Sequence, residues 1–391
     1  MDLRLSEQYQ AFRREVQSFL QANWQPTRDK TAIDAFRRKA VGAGYLYRSI
    51  PKAYGGSEQP ADVLKAHIIR EEFSKAKAPR EVGGNGVGML VPTLIDCGTE
   101  WQKERFVEKT LYGEYLWAQG YSEPGAGSDL ASLKTRGELV GDKWIINGQK
   151  IWTSLGDKCH YMFMLVRTEP EAGKHAGISY LLLDMKQPGV TIRPIKQANG
   201  AAEFCEVFFD NAETPADWIV GTRGEGWTVS KSTLKHERNS VGSSSGTLSL
   251  YNQLVKLVKN VEIDGKPAMK NPLIRDRMMQ IEAYVHAHVF SGFYQLTKDS
   301  RNESSGLIGA MNKLIHTIIA QDMAGVAAEI IGADGLLMPA EAGSFEAKLR
   351  PAGNEKWVNQ IISSLALAMG GGTSNIQRNV IAERGFGLPK D

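Results

Sequence analysis

The 391-residue chain holds only three cysteines, Cys97, Cys159 and Cys205. They form no C-x-x-C pair, and an odd number cannot all pair within one chain. That excludes a disulfide framework and a thiolate zinc site, and it favours a reducing compartment. Charge of one sign is also scarce: 47 basic against 44 acidic residues leave +3, too little to suggest a nucleic-acid surface. No uninterrupted apolar run reaches the ~18 residues of a membrane span. The first residues, Met1-Asp2-Leu3-Arg4-Leu5-Ser6-Glu7-Gln8, lack the apolar core of a secretory signal, and their acidic residues argue against a transit peptide. The expectation is a soluble, cytoplasmic protein with no membrane span. Glycine, in contrast, is plentiful, with 40 residues against about 27 at average usage. There is no G-X-Y period, and 42 % apolar content with balanced charge excludes a disordered chain. The length predicts two or three domains, or one large multilayer unit.

The character of the chain changes twice. From Ser6 to about Tyr112 the pattern is helical: Phe12, Val16, Phe19 and Leu20 recur on one face, Ser6 suits a helix start, and Pro51, Pro60, Pro79 and Pro92 punctuate shorter helices. From about Leu116 to Gly226 short aromatic and β-branched runs follow at 143–150, 160–167, 178–184, 190–195 and 203–209. They are bounded by Gly141-Asp142, Asn147-Gly148, Pro188-Gly189 and Asn199-Gly200, which predicts an all-β domain of antiparallel strands. After Trp227 the helical period returns, at Met278–Phe293 and at Ile308, Met311, Leu314, Ile315, Ile318 and Ile319. The polar stretch 259–271 reads as an exposed connection. The boundaries expected are 1–115, 116–226 and 227–391.

Two glycine runs invite a cofactor reading. Gly83-Gly84-Asn85-Gly86-Val87-Gly88 has the glycines of a dinucleotide fingerprint, but no hydrophobic strand precedes it, so a flexible helix–helix loop is expected. Tyr121-Ser122-Glu123-Pro124-Gly125-Ala126-Gly127-Ser128-Asp129-Leu130 opens the β segment and is followed one strand later by Gly148-Gln149-Lys150-Ile151-Trp152-Thr153-Ser154. One reading is a tight turn, with Pro124 fixing φ. The other is a loop of exposed N–H groups that meets a flat ligand, with Trp152 as an aromatic wall.

Together these words resemble the acyl-CoA dehydrogenase family. Its β domain carries a T/S-E-P-G-A-G-S-D loop and a K-x-W-I-T/S strand. A third marker, Gly370-Gly371-Gly372-Thr373-Ser374-Asn375-Ile376-Gln377-Arg378, is similar to the family's Y-E-G-T-x-Q-I-Q-R segment. The resemblance covers essentially the whole chain. It implies an α+β multidomain fold: an N-terminal helical domain, a central antiparallel β-barrel-like domain and a C-terminal four-helix bundle. It implies FAD as cofactor and an acyl-CoA substrate, with an electron-transfer flavoprotein as acceptor and a homo- or heterotetramer built as a dimer of dimers. Gln119, Tyr121, Ser122, Gly127 and Ser128 would line the flavin side of the loop, with Ser128 also facing the thioester. Trp152, Thr153 and Ser154 would hold the isoalloxazine, and Thr373 and Asn375 would contact FAD from the C-terminal domain. Glu329-Ile330-Ile331-Gly332-Ala333-Asp334-Gly335 is similar to the Q-x-x-G-G-x-G turn, which in the family reaches a neighbouring subunit's FAD. Here Glu329 replaces Gln and Ala333 replaces Gly, and no R-x-x-F-G word follows the helix near Tyr251. Those departures leave open a flavin site completed in a hetero-oligomer.

The implied reaction takes the proton α to a thioester while hydride leaves the β carbon for flavin N5, so a carboxylate must reach the α carbon. In many members it is the Glu of Y-E-G-T, and that position is Gly371 here. The family's second solution is a Glu-Arg dipeptide on a C-terminal helix, as in isovaleryl-CoA and long-chain dehydrogenases. Leu234-Lys235-His236-Glu237-Arg238-Asn239 matches it, so Glu237 is the expected base and Arg238 a helix-packing or CoA-side residue. The Gly371 N–H is an expected donor to the thioester oxygen. The adjacent glycines clear volume for a bulky, branched or ring-bearing acyl group, as in bacterial steroid side-chain dehydrogenases. His236 could tune the base or simply pack. His286 and His288, two apart, cannot share a helix face, so no metal site is expected. Cys159 and Cys205 read as small core residues, and Arg378 as structural or CoA-side. Competing functions are a flavin oxidase or monooxygenase on the same fold, and a non-catalytic partner subunit of a heterotetramer.

Overall fold

The computed structural model describes residues 5–240, 244–263, 265–301, 303, 306–336 and 354–389. It divides into two units: Met1–Ile195 with Ala202–Glu237, and Lys196–Ala201 with Arg238–Asp391. The first two segments of the sequence reading thus share one unit.

In the first unit, α1 (Glu7–Asn23) buries Val16 and Leu20 on its apolar face. Helices α2 (Lys30–Gly42) and α3 (Val63–Lys75) start where carboxylates meet their free N–H groups. Asp29 accepts from Thr31 and Ala32, and Asp62 accepts from Lys65. A Thr99–Gln102 capping box opens α5 (Glu100–Leu111) behind α4 (Val91–Cys97). The 83–88 glycine run departs from the flexible connection expected. Gly86 is buried at the start of a π-helical turn, Gly86–Leu90, that feeds α4. A Cβ there would lie 2.7 Å from Thr110 and 2.8 Å from Trp117, so this glycine serves close packing.

The β segment forms a sheet of order β6-β7-β3-β2-β4-β5-β8, with β1 beside β4. The strands are β1 (Trp117–Gly120), β2 (Arg136–Val140), β3 (Lys143–Ser154), β4 (Tyr161–Arg167), β5 (Ile178–Asp184), β6 (Val190–Ile195), β7 (Phe204–Pro215) and β8 (Ile219–Val220). Pairing is antiparallel save at β4, where β1 and one residue of β2 run parallel. That corrects the all-antiparallel expectation. Asn147-Gly148 is not a turn either: β3 runs through it with a register shift between Ile146 and Gly148, a bulge eased by Gly148 at φ +145°. Both faces of the central strands are buried. Phe163, Leu165, Tyr180 and Leu182 pack toward the helices with Leu94, Phe106 and Val107, and Met162, Met164, Leu181 and Leu183 pack on the other face with Trp144, Cys205 and Val207. Each such side chain contributes about 1.5–3 kcal/mol of burial. Cys205 on β7 and Cys159, which lies just before β4 rather than in a strand, are buried against this sheet, and burial pushes the Cys159 thiol up to about 11.

Helix α6 (Gly226–Ser240) leaves the sheet. The second unit is a helical bundle: α7 (Ser244–Asn260), α8 (Pro272–Ser300), α9 (Ile308–Ile331), α10 (Asn354–Ala366) and α11 (Ser374–Gly385). Its core holds Leu254, Val258, Met278, Val285, Met323, Val326 and Val358. Helix α7 runs through Tyr251 to Asn260. The stretch 259–271 is more than a connection. It forms a two-stranded hairpin, β9 (Glu262–Ile263) with β10 (Lys266–Pro267), and then buries Ala268. Helix α9 is long and apolar enough to cross a membrane, but half of its apolar stretch is buried inside the protein, as a core helix requires.

Candidate active site

The loop after β1 is a closed turn. Glu123 N–H donates to the Ala126 carbonyl and Ala126 N–H to the Glu123 carbonyl, both at 3.0 Å, which leaves Pro124 and Gly125 at the tip. Gly125, Gly127 and Ser128 are exposed, and space is open beyond both glycines. The Ser122 carbonyl accepts from Ile151 N–H at 2.9 Å, so the loop lies directly against the end of β3. Ser122 and Gln119 are half-buried. Tyr121 turns inward, its ring edge-on to Phe163 and Tyr180.

At the end of β3 the pairing jumps from Lys150–Val207 to Thr153–Cys205. Trp152 occupies this second bulge at φ +61°, a strained region for an L residue that costs about 1 kcal/mol or more. The bulge aims the indole outward, 57 % exposed, with its ring edge-on to Phe204. An exposed indole held in strained backbone makes Trp152 a candidate ligand contact rather than a core residue. Ser154 is half-buried, whereas Thr153 is fully buried with its side chain inward. Its Oγ1 has no hydrogen-bond partner among the described residues. Any contact Thr153 makes with a ligand outside the sheet therefore runs through its main chain.

Beneath the loop lies a feature that sequence reasoning missed. Lys150 Nζ is 2.8 Å from Glu123 Oε1 and donates to the Tyr121 carbonyl at 3.1 Å. Glu123 also accepts from the N–H groups of Lys134 (2.6 Å) and Thr135 (2.9 Å). Lys150 is completely buried and Glu123 is 8 % exposed. Burial alone would raise the Glu123 carboxyl, but Lys150 and the two N–H donors outweigh it and hold the group below the usual carboxylate range. Burial pulls the Lys150 amine down against the opposing pull of Glu123. The available signal was a lysine at an inward strand position, in register with Trp144 and Ile146.

Helix α6 carries His236, Glu237 and Arg238, whose side chains lie outside the described residues. What fixes the helix is clear one turn earlier. Thr233 is buried, with its hydroxyl 2.9 Å from that of Thr93 on α4 and 3.4 Å from that of Tyr180 on β5. Ser232 donates to Asp96 at 2.8 Å. Gly226 starts the helix hard against β5, where a Cβ would lie 2.4 Å from the Ser179 carbonyl carbon.

The second unit holds the remaining candidates. Gly371 and Gly372 have φ of +63° and +85°, so this turn needs glycine. Gln377 Nε2 donates to the Gly371 carbonyl at 3.3 Å. Thr373 caps α11 by accepting from Ile376 N–H at 3.2 Å. Asn375 is exposed and accepts from Arg378 at 3.0 Å. Glu329, near the end of α9, is ion-paired with Arg277 on α8, and Gly332 turns the chain at φ +57°. The Asp334 side chain lies outside the described residues. His288 is buried and shares the Thr247 hydroxyl with His316, at 3.1 and 2.7 Å, whereas His286 faces outward. Among the described residues no group of three or more His, Cys, Asp or Glu is arranged to hold a metal ion.

Helical, β and helical segments in this order, with a glycine loop against an outward tryptophan, define a dehydrogenase-type fold. Comparison with known proteins agrees along the chain. Residues 6–114, 118–212 and 224–386 match the acyl-CoA dehydrogenase N-terminal, middle and C-terminal domains. The acyl-CoA dehydrogenase IpdE1 of Mycobacterium tuberculosis is 38 % identical over 375 residues, covering 94 % of this chain and 91 % of that protein. Among solved structures, the ChsE4-ChsE5 complex of Mycobacterium tuberculosis aligns with TM-score 0.78 at 26 % identity, covering all of both chains. The Tcur3481-Tcur3483 steroid ACAD aligns with TM-score 0.78 at 25 % identity, again over both full lengths. The chain belongs to the acyl-CoA dehydrogenase family. It is an oxidoreductase that acts on acyl-CoA.

Proposed function

We propose that the chain carries out α,β-dehydrogenation of an acyl-CoA thioester to the trans-2-enoyl-CoA, with Glu237 as base and with FAD, when bound, supplying the hydride acceptor at flavin N5. The observation that carries the choice of base is the turn at 371. It holds a glycine at positive φ where many family members place the catalytic carboxylate, so the proton must be taken from elsewhere. Glu237 stands one turn beyond Thr233, on a helix anchored to both α4 and β5. The Gly371 N–H serves as donor to the thioester oxygen, and that role needs no side chain.

The exposed Trp152 indole, Ser154, the Thr153 main chain and the exposed backbone at Gly127 and Ser128 suit a flat, anionic cofactor. Gln119, Tyr121 and Ser122 would support that seat from below. Thr373 and Asn375 would approach from the C-terminal segment. Glu329 and Gly332 would lie on the adenine side, with Arg277 compensating the extra carboxylate. Ser128 and Arg238 would contact the substrate. The name of the steroid ACAD supports a ring-bearing acyl group, and the two-component names support an oligomer; on this reading the acyl group is bulky or branched and the assembly a homo- or heterotetramer. An electron-transfer flavoprotein would take the electrons, in the cytoplasm.

Anaerobic flavin bleaching with a panel of acyl-CoAs, from butyryl to steroid-like, tests this reading. Wild type should be bleached by ring-bearing thioesters and poorly by butyryl-CoA. Glu237→Gln should retain FAD yet be bleached by none. Undiminished bleaching in that variant sinks the base assignment, and efficient butyryl-CoA oxidation sinks the bulky acyl group.

A further inference from the structure

We propose that the buried Lys150–Glu123 ion pair is the register lock of the cofactor seat, a pair of positioning residues that fixes the Pro124–Ser128 loop against Trp152 and Ser154. The inference rests on the FAD reading and deepens it. Three segments of chain meet at the pair. Glu123 belongs to the loop, its carboxylate draws in the N–H groups of Lys134 and Thr135 where the chain returns to the sheet, and Lys150 stands two residues before Trp152. The ammonium also holds the Tyr121 carbonyl, so both sides of Ser122 are tied to one buried point.

The charge–charge contact alone need not add stability, since apolar pairs often replace buried ion pairs without loss; here the main-chain groups of Tyr121, Lys134 and Thr135 also depend on it. Apolar contact is non-directional, however, and the β3–β7 pairing already shifts register twice, once with the extra residue on β7 and once with it on β3. The charge pair is satisfied in one register: a slip of β3 by one residue would turn Lys150 outward and leave Glu123 buried without its cation. Breaking a buried pair in this way is strongly destabilising. The same register puts Trp152 in its strained outward position, with Ile151 N–H on the Ser122 carbonyl. Lys150 is completely buried and Glu123 is only 8 % exposed, so the pair acts through the loop and strand rather than by contacting a ligand.

Two variants test the lock. Glu123→Gln with Lys150→Met removes both charges; the single amide oxygen then accepts from only one of the Lys134 and Thr135 N–H groups, which reach separate carboxylate oxygens in the wild type. Lys150→Arg keeps the charge, but its planar fork does not fit a point-like ammonium site. For each, melting temperature, FAD Kd by flavin fluorescence and the bound-flavin absorption spectrum are measured on the full chain. The lock predicts a melting temperature within a few degrees of wild type, an FAD Kd raised at least tenfold and an altered flavin spectrum. A folded variant with wild-type Kd and spectrum overturns the proposal. If the double variant does not fold, Lys150→Arg decides the matter alone by the same criteria. A wild-type chain that binds no FAD overturns the lock together with the FAD reading.

Discussion

Glu72 shows how a single side chain on α3 joins the N-terminal helices. It is buried, yet it receives Lys75 at 2.8 Å, Gln17 at 2.9 Å and Arg13 at 3.3 Å. Burial works to raise its carboxyl, but Lys75, Gln17 and Arg13 together hold it below its ordinary value. A carboxyl depressed on folding adds stability that is present above its unfolded pKa and is lost as pH falls through the folded one. Glu72→Gln should therefore lower the melting temperature at pH 7, by a loss on the order of 1–3 kcal/mol. The gap to wild type should narrow as pH falls from the unfolded carboxylate range through the depressed folded value; a gap that stays the same at every acid pH refutes the linkage. Residues of this kind are not legible in the sequence: helical spacing puts Glu72 on the face of Ile68 and Ile69, but nothing local shows that Gln17 and Arg13, more than fifty residues earlier, meet it there. Gly371 was legible as a vacancy, since its neighbours match a known word. Its positive φ was not, and neither was the partner of Lys150, which lies 27 residues earlier in the chain.

Elements were read more surely than their ends. The runs at 178–184 and 190–195 became β5 and β6 without change, because alternation and turn residues agreed there. Asn147-Gly148 misled because the same dipeptide suits a hairpin turn and a bulge. Only the pairing of β3 with β7 on both sides of it decides between them. The start of α6 was expected near Trp227 and falls at Gly226, and the reason this glycine matters is tertiary. Its Cα approaches the β5 backbone so closely that a Cβ would sit 2.5 Å from Tyr180 N. Gly226→Ala must push α6 off the sheet, at a cost of about 1–3 kcal/mol. As α6 carries Glu237, the variant should keep its FAD yet be reduced more slowly by substrate. Gly246→Ala on α7, where space is open, is the control. Equal melting temperatures and equal reduction rates for the two would show that the close approach positions nothing.

At the scale of the molecule, the family assignment rests on three segments in order, and the departures from the family's words fall where the resemblance would put the adenine side of FAD. The exchange of Gln for Glu at 329 adds a negative charge where a pyrophosphate would approach, an arrangement that Coulomb repulsion disfavours. Arg277 answers it: the pair sits on the surface, where such bridges contribute about 0–1 kcal/mol to stability. Its consequence is therefore electrostatic, a neutral turn that presents guanidinium donors in place of an amide. On this reading the chain needs no second gene product to hold flavin. Purified alone, it should be yellow, with close to one FAD per chain, and should elute as a homotetramer. Arg277→Ala should leave the fold intact but strip much of the flavin, because Glu329 is then unopposed, and Glu329→Gln in that background should restore it. Colourless wild-type protein that gains flavin only when a second dehydrogenase chain is co-expressed would instead place the adenine half of the site on that partner, as in a two-component complex.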